Sequence, residues 1–174
     1  MQPEHVLAHY NAGCLLSDTG KADEAIAHFE EALRFAPDFV DARNNLGLAL
    51  AQRGRHEEAI AQYLAALKQA PDHAGARVNL AISLVRLGRN QEALQHCEQI
   101  ERANPNDARV RLELGNLLAH LGQPARAIGQ YRAALPLAQA TGDRELASEI
   151  QKALAALAPQ EPAALAPASR GKSQ

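Results

Sequence analysis

The 174-residue chain has no tryptophan, three tyrosines, three phenylalanines, two cysteines and one methionine. So few rings suit a β-sandwich or barrel built on aromatic and β-branched strands less well than closely packed helices. Two cysteines cannot form a disulfide framework, and Cys14 and Cys97 make no metal or redox spacing. No stretch approaches the roughly 20 apolar residues of a membrane span. The opening Met1-Gln2-Pro3-Glu4-His5 lacks the basic and apolar regions of a secretory peptide. Neither sign of charge dominates, since 20 acids face 18 bases for a net charge of -2. That balance argues against nucleic-acid binding through a strong positive field. The expectation is a cytoplasmic protein in a reducing compartment, with no membrane span.

Hydrophobic residues make up 47% of the chain, and alanine and leucine supply about a third of it. A core of small and aliphatic side chains suits closely packed helices. The residues also repeat. Asn11-Ala12-Gly13, Asn45-Leu46-Gly47, Asn79-Leu80-Ala81 and Glu113-Leu114-Gly115 recur every 34 residues. Four more columns keep that phase: Gly20, Gly54, Gly88 and Gly122; Ala25, Ala59, Ala93 and Ala127; Phe29, Tyr63, Cys97 and Tyr131; and Pro37, Pro71 and Pro105.

Each column has a physical reading. Leu46, Gly47 and Leu50 share one face of a first helix, which Gly54 closes in a left-handed conformation. Ala59, Ile60, Tyr63, Ala66 and Leu67 mark a second helix. The small residues let the two approach closely. Pro71 ends the unit, and Asp72, like Asp38 and Asn106, is expected to cap the next helix.

This pattern resembles the tetratricopeptide repeat family, which shares the 34-residue period and the helix-turn-helix plan. The resemblance implies an all-α, right-handed solenoid of four units: 6–39, 40–73, 74–107 and 108–141. Residues 1–5 form a leader. A final helix over 142–158, capped by Asp143, covers the last unit with its stripe of Leu146, Ile150, Leu154 and Leu157. Residues 159–174, rich in proline, alanine and serine, are expected to be a disordered linker or frayed end. The departures are local. His9, Arg43, Arg77 and Arg111 stand where the family often has tryptophan, and Cys97 replaces an aromatic. The fourth unit has Gln139 for the terminal proline, and Pro136 is expected to kink or shorten its second helix.

Catalytic groupings are thin. His5 and His9 have a spacing that could share a metal on a helix, yet no third ligand is near. Cys14 has no base or orienting group assigned by spacing. The glycines stand singly, so there is no phosphate-cradling loop. The expectation is a chain that is not an enzyme and carries no metal or cofactor.

Function then falls to the surface created by the stack, where first helices line a concave face in such solenoids. By resemblance, the inward positions are Leu7, Tyr10, Asn11, Cys14, Ser17 and Asp18 in the first unit. The second presents Asp41, Asn44, Asn45, Leu48 and Gln52, and the third Val78, Asn79, Ile82, Val85 and Arg86. The fourth adds Arg109, Leu112, Glu113, Asn116 and His120. Leu48, Val78, Ile82, Val85 and Leu112 form an apolar strip, although Ile82 and Val85 equally suit a core between repeats. Asn11, Asn45 and Asn79 resemble the asparagine ladder of O-linked N-acetylglucosamine transferase repeats, able to pair with any peptide backbone. They equally fit ordinary residues of the family.

The carboxylate clamp of chaperone-binding members is not matched. Its places hold Tyr10, Cys14, Asn45, Gly75 and Asn79, with no cation to neutralise a carboxylate. The first unit carries six acids and two bases, and the fourth one acid and four bases. Such polarity allows head-to-tail self-association. The expected function is a protein–protein interaction scaffold that holds a peptide or partner protein in its groove. Two alternatives remain: the recognition or regulatory part of a larger enzyme, such as a repeat-bearing glycosyltransferase, and a self-assembling scaffold.

Overall fold

The computed structural model describes residues 3–103 and 106–157, which form nine α-helices and no strands. In order they are α1 Pro3–Asp18, α2 Ala22–Phe35, α3 Val40–Gln52, α4 His56–Gln69, α5 Ala74–Arg86, α6 Asn90–Ala103, α7 Ala108–His120, α8 Pro124–Ala140 and α9 Arg144–Leu157. Helix α1 starts at Pro3, within the residues read as a leader. The tail over 159–174, expected to be disordered, and the column residue Pro105 lie outside the described residues.

Among the described helices, each touches only those one or two places away along the chain. The two-place contacts are confined to one row: α1 with α3, α3 with α5, α5 with α7 and α7 with α9. The even-numbered helices do not touch one another. A stack whose odd helices meet while its even helices stay apart curves with the odd row inside. It is a helical-repeat solenoid.

The core follows the alanine and aromatic columns. Ala25, Phe29 and Ala32 on α2, and Ala59, Tyr63 and Ala66 on α4, are all buried at helical spacing. Ala93, Cys97 and Ile100 on α6, and Ala127, Tyr131 and Ala134 on α8, repeat the stripe. Close approach explains the small residue opposite each ring. A Cβ on Gly47 would lie 2.5 Å from Tyr63 Cε1, and one on Gly13 would lie 2.7 Å from Phe29 Cε1. In the third unit Ala81 and Cys97 take these two places, so a larger small residue accompanies a smaller partner. Burial pushes the Cys97 thiol up to about 11, which makes it a packing group with little nucleophilic thiolate at neutral pH.

The turns inside units are Schellman closures. Gly54 adopts φ +75°, its N–H reaches Ala51 O at 2.9 Å, and Arg55 N–H reaches Leu50 O at 3.0 Å.

Between units the caps differ from expectation. Phe39 N–H bonds Ala36 O and His73 N–H bonds Ala70 O, both at 3.1 Å. Pro37-Asp38 and Pro71-Asp72 therefore occupy the corners of turns, one residue too early to cap. Phe39, His73 and Asp107 hold the N-cap places instead of Asp38, Asp72 and Asn106. His73 Nδ1 accepts from Ala76 N–H at 3.0 Å, and Asp107 Oδ1 accepts from Arg109 and Val110 N–H. Asp143 does cap α9, accepting from Leu146 N–H at 2.9 Å.

Pro136 does not shorten its helix. Helix α8 runs 17 residues through it, against 14 in α2, α4 and α6. Residues 132 and 136 are both exposed, so water can serve the carbonyl that proline leaves without a donor.

The arginines in place of tryptophan act as ties. Arg43 donates to Pro37 O at 2.7 Å and to Gln62 Oε1 at 3.3 Å, joining an inter-unit turn to α4. Arg77 likewise reaches Pro71 O and Gln99, and Arg111 donates to Gln130 Oε1 at 3.0 Å. In the first unit His9 and His28 meet Nδ1 to Nδ1 at 3.0 Å in the places of Arg43 and Gln62.

Candidate functional site

The inner row consists of α1, α3, α5, α7 and α9, and its side chains divide into three groups. The first is a hydrogen-bonded chain across three units. Asn79 Nδ2 donates to Asn44 Oδ1 at 3.1 Å, Asn44 Nδ2 to Asn45 Oδ1 at 3.2 Å, and Asn45 Nδ2 to Tyr10 Oη at 3.2 Å. Asn45 also reaches Cys14 Sγ at 3.5 Å. Tyr10 packs against Phe39 with ring centres 4.7 Å apart, and burial followed by the neighbouring Cys14 pushes its phenol up. Asn44, Asn45 and Asn79 thus brace one another, each with remaining amide capacity.

The second group is exposed. Asn11, Asp41, Leu48, Gln52, Ile82, Arg86, Arg109 and Asn116 all face solvent. Leu48 is 39% and Ile82 37% exposed, which places both on the surface. Asp41 lies 3.4 Å from His73 Nε2, and Arg109 on α7 pairs with Glu149 on α9 at 3.0 Å.

The third group corrects the expected apolar strip. Val78 and Leu112 are buried in the core, so neither offers surface to a ligand. Both belong to the continuous core that runs through the stack. The exposed strip is therefore shorter than the sequence suggests.

A pocket of about 200 Å³ opens between α5 and α7. Ile82, Val85 and Leu117 supply its apolar wall, while Arg86, Glu113, Asn116 and His120 supply its polar part. Asn116 Oδ1 accepts from the buried Tyr131 Oη at 2.8 Å, which fixes the amide and leaves Nδ2 to the pocket. Glu113 is half-buried and belongs to no ion pair among those seen between described residues. Burial raises its carboxyl pKa; Arg109 opposes this, while Asp107 and Glu149 reinforce it. Leu117 is absent from the inward positions that the family resemblance implies. It sits beside Asn116 in a helix that is apolar on more than one side.

No cluster of three or more His, Cys, Asp or Glu side chains suited to a metal occurs among the described residues. Nor is any described helix long and apolar enough to cross a membrane.

Comparison with known proteins agrees with this architecture. Two tetratricopeptide repeat models match, one over residues 3–74 and the other over 50–110 and 84–157. No curated protein matches the sequence. Among solved structures, TTC0263, a thermophilic TPR protein of Thermus thermophilus, aligns with TM-score 0.67 at 22% identity. The alignment covers 90% of this chain and 93% of that one. YrrB, described as a TPR protein with an unusual peptide-binding site, aligns with TM-score 0.57 at 22% identity, covering 88% and 86%. MamA aligns with TM-score 0.63 at 19% identity, covering 79% and 81%. At these identities the likeness is one of fold.

Proposed function

The chain belongs to the tetratricopeptide repeat family, and from that premise we propose that it is a protein–protein interaction module. A peptide segment of the partner lies along the inner row of helices. The observation that carries this reading is the α5/α7 pocket, where exposed Ile82 and the free amide edge of Asn116 share one concavity. Apolar walls with a few placed polar groups are what a peptide side chain and its backbone require. The YrrB likeness supports the same mode, since that protein is described as having a peptide-binding site.

Partner capture from the native cell followed by isothermal titration with its peptides tests the reading. Asn45→Ala combined with Ile82→Ala should weaken binding by at least about tenfold, the loss of one apolar anchor and one hydrogen bond. Unchanged affinity would remove the groove as the binding site.

Head-to-tail self-association is a second reading, favoured by the acidic first unit and the basic fourth one.

A further inference from the structure

The asparagine column ends in an acid. Asn11, Asn45 and Asn79 are followed at the same place by Glu113. The amide chain also stops there, because the counterpart of Asn44 in the third unit is the buried Val78. Among the described residues, Glu113 is left facing the α5/α7 pocket without an ion-pair partner. We propose that this pocket is a subsite for a basic side chain, lysine or arginine, of the peptide received by the groove. The proposal rests on the groove reading given above.

The chemistry is complementary along the length of such a side chain. Its methylene stem lies on Ile82, Val85 and Leu117. Its charged head meets the Glu113 carboxylate, which is partly withdrawn from water and gains more from a cation than an exposed acid does. Asn116 Nδ2 donates to a carbonyl of the peptide, since its Oδ1 is held by Tyr131. Asp107 and Glu149 add negative charge near Glu113 and Arg109 adds positive charge, but Arg109 is also paired with Glu149 at 3.0 Å, so its pull is shared between the two carboxylates. Arg86 and His120 also line the pocket. Both are exposed, so water and salt screen their repulsion more than they screen the attraction of the half-buried acid.

The test is an NMR titration of the full chain with three blocked pentapeptides, identical except for a central lysine, norleucine or glutamate. The lysine peptide should bind roughly tenfold more tightly than the norleucine peptide, as one charge-assisted hydrogen bond implies. Shifts should centre on Ile82, Val85, Asn116 and Leu117. Glu113→Gln should bring the lysine peptide down to the norleucine level. Independently of that variant, saturation with the lysine peptide should lower the titration midpoint of the Glu113 side-chain carbon. Equal binding of the lysine and norleucine peptides, a glutamate peptide that binds best, or an unmoved Glu113 midpoint overturns the subsite and leaves the groove standing. Failure of all three peptides to bind overturns the groove and the subsite together.

Discussion

At the scale of single residues, the repeats are held by matched volumes. Gly47 admits Tyr63, while Ala81 stands in the place where Cys97 replaces the ring. Cys97→Tyr should destabilise the chain by about 1–3 kcal/mol through overpacking against the Ala81 methyl. Ala81→Gly in the same chain should recover most of that loss, although alone it destabilises by leaving space and loosening a helix. Urea unfolding of both single variants and the double gives the coupling, and strict additivity would show that the two sites are independent. Glu113 offers a second prediction. Its folded-state carboxyl pKa lies above its unfolded value, so the native chain binds more protons, and stability declines as pH rises through that window. Glu113→Gln should therefore raise the melting temperature at pH 7 and leave it nearly unchanged below about pH 4. A thermal melt series across pH checks the sign.

At the scale of elements, helix type was legible because apolar and small residues recur with helical spacing within each 34-residue unit. The glycines that close the first helices were legible for the same reason. The caps were displaced by one residue because proline followed by aspartate makes a turn corner before it can make a cap. That distinction depends on which backbone N–H closes on Ala36 or Ala70. The arginine ties were hidden too, since Arg43 reads as a missing tryptophan until Pro37 O and Gln62 are seen beside it. Of the candidate site, the inner row was readable by position, but the burial of Val78 and Leu112 was not. Both are buried in a core shared by successive units, which no single unit encodes. Helix α8 supplies the prediction at this scale. Pro136 lies at an exposed place inside it, so Pro136→Ala restores one backbone hydrogen bond and should stabilise by about 1–3 kcal/mol. Gly54→Ala should act oppositely, by about 1 kcal/mol, because alanine resists φ +75°. Denaturant midpoints decide both.

At the scale of the whole molecule, charge runs from an acidic first unit to a basic fourth one, around a nearly neutral total. If copies meet head to tail, sedimentation at low salt should show species larger than a monomer that dissociate as the Debye length falls from about 30 Å to 8 Å. A monomer at every ionic strength would exclude this association. Helix α9 packs against α7 and α8, with Leu146 and Ile150 buried and Arg109–Glu149 bridging it to α7. Contacts confined to helices one or two places apart also carry a kinetic meaning. Nearly every native contact closes a short loop, so little chain entropy must be lost before contacts begin to form. Such a chain should refold in microseconds to milliseconds, from whichever unit forms first, and its exchange-protected amides should thin out toward the ends.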